Sequence, residues 1–265
     1  ERMRADGAEV ASSVADVIRQ SDLLFLCLPS AKHVRAVFEG DGILKNIRSG
    51  QIVVDLGTSS VSQTRDFARQ LQAKGLPVIA IDRVMDPEHF CSVVSDDREA
   101  SLHLTESLLD PQPKQIVLLG ARPELSISQE RAAGFKQALA GFKGEVLIEH
   151  AESFSRECGK QLMEELLQRL GHLPDALVTT SYVLLQGVFD ALHDFPLKSR
   201  PLRLGTFGDT QLLDFLPLPV NAMAQQHQLI ADKALELALA AVEQSDYQPG
   251  VQAIARTFKQ RIHRD

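Results

Sequence analysis

Residues 76–97 read LPVIAIDRVMDPEHFCSVVSDD, and the fold turns on this stretch. An apolar run, 78–81, ends in Asp82-Arg83; a loop with Pro87 follows; a second run, 92–95, ends in Asp96-Asp97. Short apolar runs bounded by turn residues are the signature of strands buried on both faces, as in parallel sheets. Each run delivers charged residues at its C-terminal end, where open α/β sheets bind their ligands.

Outward from this stretch, the same alternation continues. Downstream, the pattern predicts helices at 98–109, 128–140, 155–170 and 183–193, separated by strands at 115–119, 145–148, 176–179 and 203–206. A strand at 220–224, a long Ala/Leu helix at 227–243 and a final strand at 252–258 would return the chain to the first lobe. Upstream, Ser12 or Ser13 caps a helix running through Ile18, and strands are expected at 23–28 and 52–56. An amphipathic helix at 63–74 turns Phe67, Ala68 and Leu71 inward and is closed by Gly75. Strand–helix alternation with short loops predicts the α/β class, a parallel sheet with helices on both faces.

Composition narrows the function. The chain has 265 residues, 44% hydrophobic and 24% charged, ordinary for a globular protein with a real core. A net charge of -7 argues against a nucleic-acid-binding face. No apolar run approaches the roughly 20 residues that span a bilayer, and no signal peptide opens the chain, so a cytoplasmic protein is expected. The chain starts at Glu1 without an initiator Met and reads as a fragment or processed form. Cys27, Cys91 and Cys158 are odd in number and widely spaced, which predicts buried free thiols and neither disulfide nor metal ligation. No HExxH, GxSxG, Walker A or GxGxxG pattern occurs; Gly40-Asp41-Gly42 has Lys45 in the third glycine's place and reads as a turn. Neither a cofactor nor a metal site is expected.

Two resemblances divide the chain. GAEVASSVADVIRQSDLLFLCLPSAKHVRAVFEGDGILKNIRSGQIVVDLGTSSVSQTRDFARQL, within residues 1–75, resembles the NAD-binding domain of the 6-phosphogluconate and 3-hydroxyisobutyrate dehydrogenase family. It lacks that family's first strand, glycine-rich phosphate loop and catalytic-lysine helix. Pro29 and Thr58 match nicotinamide-side positions; without a loop to hold the pyrophosphate, they are expected to be scaffold. From about residue 76 to the C-terminus, LPVIAIDR, FCSVVSDD, LGARPELSISQERAAGF, LPDALVTTSYVLLQGVFDAL and GTFGDTQLLDFLPLPVNAMAQQH resemble the effector domain of the LacI-family catabolite repressor/activator, or fructose repressor. That resemblance implies a periplasmic-binding-protein-like fold with two lobes of parallel sheet. The second lobe would cover roughly 98–217, with 218–265 returning to the first. The half-Rossmann segment would then complete the first lobe, its strands at 23–28 and 52–56 sharing a sheet with 78–81.

The resemblance also assigns candidate effector contacts, each with a plainer reading. Arg83 offers a bidentate fork to phosphate, or is a surface arginine paired with Asp82 or Asp86. Arg131 lies one turn into a helix for which Ser128 is the expected N-cap, a position that favours anions, or sits on a solvated face beside Glu130. Asp209 accepts from sugar hydroxyls, or caps the helix near Thr210. Ser181 reaches the cleft, or caps the helix at Val183. Gln225 matches a hinge or cleft position. Arg256 matches a cationic position facing the ligand, or alternates outward with Phe258. Asp96 and Asp97 are adjacent, point opposite ways and are no catalytic pair; one of them caps the next helix. The leading expectation is a non-enzymatic module binding a sugar phosphate such as fructose 1-phosphate, with a homodimer as its expected assembly, without the DNA-binding headpiece and so without direct operator contact. The alternatives are a fused or engineered scaffold without activity and a fragment of an NAD(P)-dependent 3-hydroxyacid dehydrogenase.

Overall fold

The chain is described by a computed structural model covering residues 7–55, 61–193, 202–216, 218–243 and 248–261. The chain divides into two compact units, 1–93 with 231–252 and 94–230 with 253–265. No helix among the described residues is long and apolar enough to cross a membrane.

The first unit is built on two short sheets. Helix α1 (Val14–Gln20) is capped by Ser13, whose hydroxyl accepts from the Asp16 amide at 3.1 Å. Strand β1 (Leu23–Leu26) pairs in parallel with β2 (Ile52–Asp55), with α2 (Ala31–Phe38) and the single turn α3 (Ile43–Asn46) between them. Helix α4 (Val61–Gln72) leads to β3 (Ile79–Ile81), which pairs in parallel with β4 (Cys91–Ser95). Ile18, Leu26, Val34, Phe38, Ile43 and Phe67 form one core cluster, with the Phe38 and Phe67 rings stacked at 4.2 Å. Ala68, Met85 and Phe90 form a second.

Among the described residues, the expected sheet through β1, β2 and β3 does not form: β1 pairs with β2, and β3 joins β4 and β10 (Gly250–Ile254) in another sheet. The reason lies in burial. Strand β2 has no fully buried residue, β1 leaves Leu23 and Phe25 exposed, and β3 has only three residues, all laddered to β4. Helix α4 bridges the two clusters instead, giving Phe67 to one and Ala68 to the other.

The second unit holds a six-stranded sheet. After β4 come α5 (Asp97–Glu106), β5 (Gln115–Ala121), α6 (Ser126–Ala138), β6 (Glu145–Ala151), α7 (Arg156–Leu170), β7 (Ala176–Thr179), α8 (Tyr182–Leu192) and β8 (Arg203–Phe207). A 3-10 turn (Gln211–Phe215), β9 (Val220–Ala224), α9 (His227–Val242), β10 and β11 (Thr257–Lys259) complete the chain. The sheet order is β11-β9-β8-β7-β5-β6, parallel except for β11, which runs antiparallel to β9. Strand alternation divides β5 between two cores. Val117 and Leu119 pack with Met163, Leu166, Leu185 and Val188; Ile116 and Leu118 pack with Leu104, Phe135 and Leu139. Each such fully buried side chain contributes about 1.5–3 kcal/mol relative to exposure.

The final strand, expected unbroken over 252–258, is interrupted. Strand β10 joins the three-stranded sheet and β11 the six-stranded one, so the chain changes sheets at Ala255-Arg256. The last residues therefore pair with β9 rather than with the first unit's strands. None of the three cysteines is in a disulfide; Cys91 is buried, but Cys27, expected inside, is exposed just past the end of β1.

Candidate functional site

Strands β6 and β7 lie on opposite sides of β5 in the sheet order, so the chain direction switches there. At such a switch point the loops leave the C-terminal strand ends in opposite directions and open a ligand crevice. Two side chains of α6 are tied to this place. The Ser128 hydroxyl donates to the Ala121 carbonyl at 2.7 Å, at the end of β5. Arg131 Nη1 donates to the Thr180 carbonyl at 2.5 Å, just past β7.

The position of α6 follows from a glycine. A Cβ on Gly134 would sit 2.0 Å from the Arg98 carbonyl oxygen, so only glycine allows α5 and α6 this close. The Ser101 hydroxyl donates to the Arg131 carbonyl at 2.6 Å across the same contact. Asp97, the first residue of α5, is thereby set opposite Arg131.

Asp97 is the centre of the site. Its Oδ1 accepts from Arg131 Nε at 3.0 Å, and the ion pair brings Arg131 Nη2 to 2.9 Å from the same oxygen. The same oxygen accepts from Arg256 Nε at 2.9 Å. The Phe207 ring, at the end of β8, lies 4.2 Å from the Arg131 guanidinium carbon and 5.4 Å from that of Arg256. The side chains of Asp97, Arg131 and Arg256 are 9%, 7% and 4% exposed. Two guanidinium charges thus share one carboxylate, leaving a buried group of net charge +1. A charge out of water is stable only with a partner and hydrogen bonds. All three Arg131 nitrogens meet protein oxygens. Arg256 gives only Nε, and its two Nη groups take no partner among the described residues. The Thr180 hydroxyl is also buried without a partner among the described residues. Donors of this kind at the C-terminal strand ends fit an anionic ligand carrying further polar groups.

The other candidates are placed as follows. Ser128 is not the N-cap expected: α6 starts two residues earlier, after Leu125, and Ser128 clips the helix to β5 from within its first turn. Ser181 caps α8, accepting from the Leu184 amide at 3.2 Å. Asp209 is not a helix cap, since Thr210 caps the 3-10 turn. Asp209 accepts from Lys259 Nζ at 2.5 Å through one oxygen and from Arg261 Nη2 at 2.8 Å through the other. Burial alone would raise the Asp209 pKa, but the hydrogen bonds and charges of Lys259 and Arg261 outweigh it and hold the carboxyl below its usual value. Gln225 is half-buried after β9. Arg256 does not alternate with Phe258 along a strand but sits in the break between β10 and β11, with its guanidinium buried. Arg83 belongs to the first unit, exposed in the loop after β3, and Asp82 before it has φ 60. Pro29 is exposed past β1, and Thr58 lies outside the described residues.

Asp97, Phe207 and Thr180 are the functional candidates that the sequence reading missed. Each stands at or just past the C-terminal end of an apolar strand, and that position was the available signal. Asp96 does cap α5, accepting from the Glu99 amide at 3.2 Å, so Asp97 is the acid left to turn inward.

A parallel sheet covered on both faces, with cationic side chains at its switch point, is the architecture of a ligand-binding α/β domain. The chain belongs to the periplasmic binding protein domain family, whose model matches residues 51–248. It is similar to the Cra transcriptional dual regulator from Pseudomonas putida, solved in complex with fructose 1-phosphate: 52% identity, TM-score 0.76, covering 91% of this chain and 99% of that one. It is 42% identical over 203 residues to the fructose operon regulatory protein of Vibrio cholerae, covering 77% of this chain and 62% of that protein's length. These relatives are transcription regulators. Residues 1–81 also match the NAD binding domain of 6-phosphogluconate dehydrogenase. A stretch of 70 residues is 34% identical to rat mitochondrial 3-hydroxyisobutyrate dehydrogenase, covering 26% of this chain and 21% of that protein.

Proposed function

We propose that the chain is the effector-binding part of a LacI-type regulator and that its effector is a sugar phosphate, fructose 1-phosphate ahead of fructose 1,6-bisphosphate. The observation that carries this reading is the buried arginine pair on a single carboxylate, with the Nη donors of Arg256 turned to no described protein acceptor. A phosphate would supply the missing acceptors and counter-charge. Arg256 makes the direct contact on this reading, with Arg131, Ser128, Ser181, Gln225, Asp209 and Arg83 as further effector-binding residues. The ligand named for the Pseudomonas putida relative supports the choice of fructose 1-phosphate. Action in the cytoplasm as a homodimer, with DNA contacts left to a separate headpiece, goes with the same reading.

The dehydrogenase likeness of residues 1–81 supports a fused origin for the amino-terminal segment, with the join near residue 75. No catalytic role is assigned to it.

Thermal unfolding with a panel of sugar phosphates tests the proposal. Ligand at about 100 times its Kd adds about 2.7 kcal/mol of stability. Fructose 1-phosphate should raise the Tm, with free fructose and glucose 6-phosphate giving less. An unmoved Tm at millimolar fructose 1-phosphate rejects the reading.

A further inference from the structure

We infer that Asp97 is an internal counter-anion that sets how tightly the arginine pair takes a ligand anion. The inference rests on reading the pair as an anion site and adds the residue that tunes it. Asp97 engages Nε and Nη2 of Arg131 and Nε of Arg256 through one oxygen, Oδ1. It does two opposed things at once. It holds both guanidinium groups against Phe207, which favours binding, and it cancels one of their two charges, which weakens it. Arg131 has three of its five N–H donors committed to Asp97 and the Thr180 carbonyl, so much of its effect on an anion comes through charge. Because the group is buried, screening by water and salt is weak and charge differences within it count heavily. Affinity for an anion should therefore follow the net charge of the trio.

The test is a calorimetric titration of inorganic phosphate into the full chain and three variants. Asp97→Asn keeps a hydrogen-bond acceptor while raising the trio to +2; it should bind phosphate about tenfold more tightly. Arg131→Gln lowers the trio to zero and should lose phosphate binding although Arg256 is intact. The double variant Asp97→Asn/Arg131→Gln returns the trio to +1 and should bind like the wild type, which keeps the inference testable if Asp97→Asn alone does not fold. Unchanged or weaker phosphate binding by folded Asp97→Asn, or wild-type affinity in Arg131→Gln, overturns it. A parallel titration with fructose 1-phosphate separates the two ideas. Wild-type binding of the sugar phosphate with a failed phosphate order sinks only this inference. A preserved order without sugar-phosphate binding sinks only the choice of ligand.

Discussion

Asp97 and Arg256 stand 159 positions apart in sequence and meet at 2.9 Å, Oδ1 to Nε. The same oxygen serves Arg131, so removing the carboxylate takes the shared anion away from two buried guanidinium groups. Breaking a buried pair by deleting one partner typically costs about 3–5 kcal/mol. Asp97→Ala should lose about that much, read as a lowered urea midpoint by circular dichroism. Loss below about 1 kcal/mol would show that water reaches the arginines.

Arg261 anchors the last described residues. It donates to Asp209 at 2.8 Å and to Asp214 at 2.7 Å, and to the Val220 carbonyl at 3.2 Å. Arg261→Ala should cost about 1–3 kcal/mol at neutral pH by freeing β11 and leaving Asp209 with Lys259 alone. The pH dependence has a definite sign. The Asp209 carboxyl is held below its usual 3.8 in the folded chain, so the native state binds that proton less readily than the unfolded one. Its stabilisation is in place above about pH 4 and fades as the pH falls through the lowered folded value. The gap between wild type and variant should narrow on acidification; a gap that widens contradicts the ion-pair account.

His150 lies on β6 beside Gly120, whose added Cβ would sit 3.0 Å from the ring. Burial lowers the imidazole pKa from its usual 6.5, only partly offset by Glu149. The unfolded chain therefore takes up the proton first, and stability falls as the pH drops below about 6.5. His150→Gln should flatten the stability profile between about pH 7 and 5. An unchanged slope in thermal melts across that range excludes His150 as its source.

Helices α7 and α8 meet at Gly187, where an added Cβ would fall 2.0 Å from the Arg156 carbonyl oxygen. The obstacle is backbone and cannot rotate away. Gly187→Ala should cost about 1–3 kcal/mol through overpacking, although alanine is the better helix former. A stabilised variant in chemical denaturation would mean that the helices stand further apart.

Much of the second unit was legible in the sequence. Strands 176–179 and 220–224 follow from apolar runs, and the Ser181 cap of α8 from local hydrogen bonding. The α6 start was misplaced because Ser128 looks like a cap, whereas its hydroxyl donates to the Ala121 carbonyl from within the first turn. The first unit was read less well. Its runs at 23–28, 52–56 and 78–81 have similar strand character, and nothing local says which edges pair. Among the described residues β2 pairs with β1 alone, and β3 with β4. The site was half visible: Arg131 and Arg256 entered through family resemblance, but the carboxylate between them requires the α5–α6 crossing at Gly134.

The central claim, that the arginine pair receives a sugar phosphate, is tested most directly by calorimetric titration of fructose 1-phosphate into the wild-type chain and into Arg256→Gln. The account predicts saturable heat at one ligand per chain in the wild type and its loss in the folded variant. No heat from the wild type at millimolar ligand, or equal binding by Arg256→Gln, contradicts it.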